Sequence, residues 1–315
     1  KQKKTLNNHT NIKNKQGPPR EIIQSIIDTF SSGKKNEAII ELEELLKDYP
    51  LSPLLFNVSG SFYKSVGQLD IAVKKFKQAL SLNRNYAEVH YNLGVTLSEL
   101  NQIEEAIECY KNAINIKITY PNAHYNLGNA LLSLKKYDAA IEHFKLAVKF
   151  NPKFAQAYNN LGLANKLLEK DFEAGINFDK ALVIKPDYAE AANQRGVIFQ
   201  NSGDFENAIK YYQKSLAVNP QLADAYNNIG LAKKELNSID SAIIYFEKAL
   251  SVDPNYADAY YNLSLFKQYT LSKEQVVKMQ LLLSNENVSE SNLITINFAL
   301  ANANEDLGNT NKFFN

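Results

Sequence analysis

This sequence of 315 residues has little of the material from which covalent, metal or catalytic sites are built. Its one cysteine, Cys109, cannot form an internal disulfide bond, and four histidines are few for a structural zinc site. A glycine-rich phosphate loop, a paired-histidine zinc motif, an acidic calcium loop and a run of about 18 apolar residues are all missing from the sequence. We therefore predict a cytoplasmic protein with no membrane span, no metal, no cofactor and no catalytic activity of its own.

The chain has almost no net charge, with a formal value of +1. A near-neutral protein is not drawn to nucleic acid or to anionic lipid as a whole, so neither is predicted as a partner. Positive charge is concentrated in the first 20 residues, which lack acids and contain Lys1, Lys3, Lys4, Lys13, Lys15 and Arg20. We interpret residues 1–18 as a disordered basic tail, and binding to an anionic surface is the alternative.

Small residues recur along the chain with a period of 34. The glycine register consists of Gly60, Gly94, Gly128, Gly162, Gly196 and Gly230, and Ser264 takes the next position. Alanines, aromatic residues and prolines keep the same period in three further registers, which begin at Ala38, Phe76 and Pro50, with Arg84 and Ile118 in place of proline at two positions. A period of this length predicts a repeat protein.

Each repeat is predicted to be a pair of closely crossing helices. Glycine within a helix costs about 1 kcal/mol relative to alanine, so its regular return implies a close contact. We expect Gly128 and Ala140 to bring two antiparallel helices together, with Phe144 in the adjoining groove. Proline, as at Pro152, then ends the second helix because it lacks an N–H group.

Two segments resemble tetratricopeptide repeats: HYNLGNALLSLKKYDAAIEHFKLAVKFNP (124–152) and YNNIGLAKKELNSIDSAIIYFEKALSVDP (226–254). The resemblance covers residues 19–270, with seven full repeats and the first helix of an eighth. It implies an all-α fold, a right-handed α-α superhelix of about seven and a half repeats. It also implies a scaffold for protein–protein interaction, whose partner is a protein or peptide.

Two repeats depart from the pattern. Gly175 lies in a second helix where an aliphatic residue is usual, and Asp171 and Phe172 shift the turn aromatic by one position, so we expect looser packing there. Ile26 occupies the glycine position of the first repeat, which indicates a wider crossing or a capping role.

Polar side chains recur on the first helices, which in this repeat class line a continuous concave face. The amide column, two residues before each glycine position, consists of Asn92, Asn126, Asn160, Gln194, Asn228 and Asn262. The neighbouring column, one residue earlier, consists of Asn57, Tyr91, Tyr125, Asn159, Asn193, Asn227 and Tyr261. Asparagine is a mediocre helix residue, so helix propensity does not explain the amide column.

A carboxamide has both a donor and an acceptor, and it suits contacts to the backbone of an extended peptide. The candidate peptide-binding site is therefore the amide column together with the neighbouring column from Tyr91 to Asn227. The resemblance adds that a similar asparagine ladder holds protein substrates in the arm of the O-GlcNAc transferases. The alternative is that the amides bridge adjacent repeats and fix their stacking.

The histidines and the cysteine of the repeats receive structural interpretations. We interpret His90 and His124, which are 34 residues apart, as packing residues. Cys109 and His143 occupy equivalent positions in adjacent repeats, and we assign them no catalytic role.

The period ends after Tyr269. A capping box at Ser272 and Gln275 predicts a helix through Leu283, and Ser289 or Ser291 is predicted to start another that runs to about Asp306. We predict that residues 271–315 cap the stack. The segment NFALANANEDLGNTNKFF (297–314) resembles the junction between tetratricopeptide arms and bacterial sulfotransferase domains. The alternative function is therefore the substrate-recruiting arm of a larger glycosyltransferase or sulfotransferase.

Overall fold

The computed structural model describes residues 17–266, 271–285 and 288–306. The basic tail predicted for residues 1–18 falls outside the described residues except at its last two positions, and so does the end of the junction segment. All regular structure within the described residues is helical. Contacts divide the chain into two compact units, residues 1–164 and residues 165–315, which we call unit 1 and unit 2.

Unit 1 contains four helix pairs and the start of a ninth helix. The pairs are α1 (Arg20–Ser31) with α2 (Lys35–Asp48), α3 (Pro53–Ser65) with α4 (Leu69–Leu82), α5 (Ala87–Glu99) with α6 (Ile103–Ile116), and α7 (Pro121–Ser133) with α8 (Tyr137–Phe150). Helix α9 (Ala155–Leu167) begins in this unit. The second helices α2, α4 and α6 each pack on the first helix of the following pair, so neighbouring pairs stack.

Unit 2 continues the pattern and ends differently. It contains the end of α9, then α10 (Asp171–Ile184), α11 (Ala189–Asn201), α12 (Phe205–Val218), α13 (Ala223–Glu235), α14 (Ile239–Val252), α15 (Ala257–Ser264), α16 (Lys273–Leu283) and α17 (Glu290–Asp306). Helix α17 packs against α15 and α16. The predicted all-α class is confirmed, as is the count of seven helix pairs and the first helix of an eighth among the described residues.

Every turn inside a helix pair contains one residue with positive φ, always at the same register. These residues are Gly33, Gly67, Asn101, Lys135, Glu169, Gly203 and Asn237. Glycine adopts this conformation without steric cost, whereas Lys135 at φ 57° and Glu169 at φ 58° do so against their preference. This register cannot be recognised from the sequence because only three of its seven residues are glycine.

The glycine register makes room for an aromatic ring. A Cβ atom at Gly128 would lie 2.6 Å from the ring of Phe144, and one at Gly94 would lie 2.7 Å from the ring of Tyr110. Both rings are buried. The Phe144 ring is thus the nearest group to Gly128, in line with its predicted position in the adjoining groove, and the contact between Gly128 and Ala140 itself stays a prediction.

The two departures from the repeat pattern have different outcomes. Helices α1 and α2 contact each other less extensively than the later pairs, as expected from Ile26. The looser packing expected around Gly175 stays a prediction; a Cβ atom at Gly175 would lie 3.1 Å from Nη1 of Arg195, on the next helix α11. That guanidinium donates to Asp179 at 2.9 Å and lies 4.0 Å from the ring centroid of Phe199, so it fills the space left by the glycine.

The helix ends follow the predicted signals closely. Ser272 and Gln275 form a capping box at the start of α16, which ends at Leu283 as predicted. The hydroxyl of Ser289 accepts the Asn292 N–H at 3.2 Å at the start of α17, so Ser289 is the cap of this helix. Helix α8 ends at Phe150, two residues before Pro152, as expected from the missing N–H of proline.

Candidate functional site

The amide column and the neighbouring column lie on the first helices, at adjacent positions. The buried members are Asn159, Asn193, Asn227 and Asn262, which are between 4% and 8% exposed. The partly exposed members are Asn92, Asn126, Asn160, Gln194, Asn228, Asn57, Tyr91, Tyr125 and Tyr261. Only this second set presents side-chain atoms to solvent on a scale that a partner could contact.

In unit 1, hydrogen bonds between adjacent repeats join the two columns. Three amide nitrogens donate to the preceding repeat: Asn92 to Asn57 Oδ1 at 3.0 Å, Asn126 to Tyr91 Oη at 3.2 Å, and Asn160 to Tyr125 Oη at 3.2 Å. Each bond runs from the amide column of one repeat to the neighbouring column of the repeat before it. These bonds are the ones that the stacking interpretation predicted for the amides.

The tyrosine acceptors of these bonds are held by aromatic neighbours. The ring centroid of Tyr91 lies 5.1 Å from that of Tyr120, and that of Tyr125 lies 4.8 Å from that of Phe154. Burial raises the pKa of Tyr91, so its hydroxyl stays neutral at ordinary pH. The amide of Asn126 therefore has a fixed orientation, and its oxygen has no hydrogen-bond partner among the described residues.

In unit 2 the columns are joined differently. Asn262 donates to Asn227 Oδ1 at 3.0 Å, and both residues are buried. Gln194 accepts from Lys166 Nζ at 2.8 Å, and burial lowers the pKa of this lysine. The bond that would join Asn228 to Asn193 is not formed. The Oδ1 atom of Asn193 is buried without a partner in the described part of the chain.

His124 is buried, 2% exposed, as expected for a packing residue. Its Nε2 lies 3.1 Å from the Ile118 carbonyl oxygen and its Nδ1 lies 3.1 Å from His143 Nδ1. Since a carbonyl oxygen can only accept, the Nε2 of His124 carries the proton and its Nδ1 accepts one from His143. Burial lowers the pKa of both histidines, so this bond joins two neutral rings.

No metal or reactive-thiol site emerges from the residues that the structure describes. They include no cluster of three or more histidine, cysteine, aspartate or glutamate side chains that could hold a metal ion. Burial raises the pKa of the Cys109 thiol to about 11, the opposite of what a nucleophilic cysteine needs. None of the described helices is long and apolar enough to cross a lipid bilayer.

Family models match the repeat region of the chain. A model described as TPR repeat matches residues 60–100 and 97–135, and models described as Tetratricopeptide repeat match residues 121–154 and 187–255. Together these ranges cover just over half of the chain. No curated protein matches it.

Three solved structures illustrate the similarity of this fold to known proteins. The MamA protein is 26% identical with a TM-score of 0.50, and the match covers 55% of this chain and 94% of that one. YrrB, described as a TPR protein with an unusual peptide-binding site, is 24% identical with a TM-score of 0.52, covering 58% and 95%. The C-terminal part of a TPR repeat-containing protein from Cytophaga hutchinsonii is 20% identical with a TM-score of 0.61, covering 76% and 98%. The narrower resemblances to transferase arms are not shown by these matches.

Proposed function

Since this chain belongs to the tetratricopeptide repeat family, we propose that it is a protein-interaction scaffold that holds an extended polypeptide against its amide column. The observation that carries the proposal is the orientation of Asn126, whose nitrogen is bound by Tyr91 of the preceding repeat while its oxygen has no partner among the described residues. Such an oxygen accepts the backbone N–H of a guest without selecting its side chain.

The spacing of the first helices suits an extended guest. Helices α3, α5 and α7 are direct neighbours in unit 1. Packed helices lie about 8–10 Å apart, and an extended chain advances about 3.3 Å per residue. One amide of the column would therefore meet about every third residue of the guest.

Stacking and binding use different atoms of the same carboxamides in this proposal. The nitrogens of Asn92 and Asn126 bond to the preceding repeat, and the oxygens are left for the guest. The contact residues we propose are Asn92, Asn126 and Asn160 in unit 1 and Gln194 and Asn228 in unit 2. The oxygens of Asn160 and Gln194 already accept one bond each, from Asn159 at 3.1 Å and from Lys166 at 2.8 Å, so only their second lone pair is offered to the guest. Of the buried members, Asn159 donates directly to a proposed contact residue, Asn160.

The same proposal covers the organisation of the chain. We assign the repeats to residues 19–270, a capping role to residues 271–315, a cytoplasmic location, and no catalytic role for the chain itself. YrrB, which has the same fold, is described as having a peptide-binding site, so the fold accommodates such a guest. No observation favours the alternative of a recruiting arm of a glycosyltransferase or sulfotransferase.

Peptide selection tests the proposal. Peptides selected on the whole chain from a display library of random sequences serve as the probe, and their affinity is measured by fluorescence anisotropy. We expect the double variant Asn126→Ala/Asn160→Ala to bind at least about tenfold more weakly, because it removes the Asn126 oxygen and the second lone pair of the Asn160 oxygen, whose first accepts from Asn159 at 3.1 Å. The matched control is Asn112→Ala/Asn115→Ala, two exposed asparagines on the second helix α6, which should bind like the unmodified chain.

A second pair of substitutions separates binding from stacking. Tyr91→Phe/Tyr125→Phe keeps both amides but removes the acceptor of Asn126 and one of the two acceptors of Asn160, which also donates to Asn129 Oδ1 at 2.8 Å. We expect this variant to retain more peptide affinity than the alanine variant. Selected peptides that bind the alanine variant as tightly as the unmodified chain would rule out the amide column as the contact surface.

A further inference from the structure

The outward side of the first helix pair is an open groove. It has a volume of about 740 Å³ and lies between α1 and α2, with Ile22, Ile26, Ile40 and Leu45 among its lining residues. Ile22 is 45% exposed and Ile40 is 64% exposed. In the following pairs the second helix of the preceding pair covers this side of the first helix, whereas no described helix covers α1.

Comparison with the other pairs shows how unusual this surface is. Glu21 is exposed, yet the residues at its register in the later pairs are apolar and fully buried: Leu55, Val89, Ala123, Ala157, Ala191, Ala225 and Ala259. Another helix pair stacked here would bury the Glu21 carboxylate without a partner, at a high cost in free energy. The groove is therefore not suited to an apolar repeat.

The rim of the groove is acidic. Glu21, Glu41, Glu44 and Asp48 line it, and Lys47 is the one cation among its lining residues. Lys47 is paired with Glu44 at 2.5 Å, so four carboxylates face one lysine among the lining residues. Two copies of this face would bring like charges together, which disfavours self-association through it. An apolar floor with an acidic rim selects a segment that has both apolar and cationic side chains.

The chain itself contains such a segment. Residues 1–16 carry five lysines and no acid, together with the apolar side chains of Leu6 and Ile12. They precede α1 directly, and α1 begins at Arg20, next to Glu21. Sixteen residues can extend about 50 Å, whereas the twelve residues of α1 span about 18 Å, so the segment can reach the whole groove. We propose that the groove between α1 and α2 binds this lysine-rich segment of the same chain.

Protection from trypsin measures this interaction in the full chain. Trypsin cleaves after Lys3, Lys4, Lys13 and Lys15, and mass spectrometry follows each site. At low salt we expect cleavage at least about tenfold slower than in a free peptide of residues 1–19, since even a modest binding free energy gives that protection. High salt should remove the protection, because it screens the lysine–carboxylate attraction.

Two matched pairs of variants test the acidic rim and the apolar floor of the groove separately. Glu41→Gln/Glu44→Gln should restore cleavage toward the rate of the free peptide. Glu105→Gln/Glu108→Gln, exposed carboxylates of the same spacing on α6, should leave protection unchanged. Ile40→Asn should likewise weaken protection, whereas Ile244→Asn, at the same register of α14 and 50% exposed, should not. Circular dichroism checks that all four variants are folded.

The rates of trypsin cleavage decide whether the lysine-rich segment binds in the groove of its own chain. Cleavage of the unmodified chain at the rate of the free peptide would overturn it, as would an equal loss of protection in the control variants. Protection that rises with protein concentration would mean that the segment binds a second copy, and would overturn the assignment to the same chain. Protection that is independent of concentration and lost only in the groove variants supports it.

Discussion

Unit 1 and unit 2 are built from the same helix pair, yet their polar columns are joined in different ways. In unit 1 three consecutive inter-repeat bonds connect Asn57 to Asn92, Tyr91 to Asn126, and Tyr125 to Asn160. In unit 2 the corresponding bond is present at Asn227 and Asn262 and missing at Asn193 and Asn228. The same residue types thus form the bond in one place and not in another.

This difference shows that the packing of the helices and the hydrogen bonds of the polar columns depend on different residues. The glycine and aromatic registers are equivalent in both units, since a Cβ atom at Gly128 or at Gly230 would lie 2.6 Å from the facing phenylalanine ring. The columns depend on individual side chains, such as the tyrosines of unit 1 that aromatic neighbours hold in place. Helix packing therefore fixes where the amides lie, and local contacts fix which of their atoms are occupied.

The largest expected effect on stability tests whether the glycine–ring contacts of unit 1 and unit 2 are equivalent. Gly128→Ala and Gly230→Ala should each reduce the free energy of unfolding by about 1–3 kcal/mol, because the new methyl group overlaps a buried ring. Urea denaturation followed by circular dichroism measures both. The control is Gly175→Ala, where the nearest atom, Nη1 of Arg195, is at 3.1 Å and ends a long side chain, and the higher helix propensity of alanine adds up to about 1 kcal/mol of stability. A similar loss at all three glycines would contradict the ring-contact explanation.

A smaller effect on stability tests whether the inter-repeat bonds of the polar columns differ between unit 1 and unit 2. Tyr91→Phe should lower the free energy of unfolding by about 0.5–1 kcal/mol, because the Asn126 nitrogen loses its acceptor. Asn193→Leu should be neutral or stabilising, because it replaces a buried oxygen that has no partner in the described part of the chain. Both free energies of unfolding are measured by urea denaturation. Equal destabilisation by the two substitutions would contradict the difference in inter-repeat bonding between unit 1 and unit 2.

The smallest expected effect is a pH dependence confined to unit 1, where His124 and His143 are paired. Burial lowers the pKa of both, so the folded state favours neutral rings. Their contribution to stability is complete above the unfolded pKa of about 6.5 and is lost as the pH falls through the folded pKa. Thermal melting followed by circular dichroism at several pH values should therefore show a decline in stability below about pH 6.5.

A substitution isolates the histidine pair from other acid effects. Tyr260 occupies the register of His124 in the eighth repeat, and its hydroxyl donates to the Pro254 carbonyl at 3.0 Å, as His124 Nε2 donates to Ile118. His124→Tyr should keep this bond while flattening the decline between pH 7 and pH 5. An unchanged decline in this variant would assign the pH dependence to other groups.

Most of the fold could be predicted from the sequence because its signals are local and repeated. The capping box of Ser272 and the proline that follows α8 act within one helical turn, so they fix helix ends without tertiary information. The positive-φ register was missed because Lys135 and Glu169 resemble surface residues in sequence. The side chain that lies against Gly175, that of Arg195, could not be identified from the sequence because it is 20 residues away on the next helix.

The sequence by itself determined the 34-residue period, the helix pairs and the recurrence of amides at one helical position. Tertiary structure alone decided that the Phe144 ring is the nearest group to Gly128, that the nitrogen of Asn126 donates to Tyr91, and that Asn193 and Asn227 are buried. The physical reason is that a period places residues at equivalent backbone positions. Which side-chain atoms meet depends on neighbours 16 to 35 residues away, and these differ from repeat to repeat.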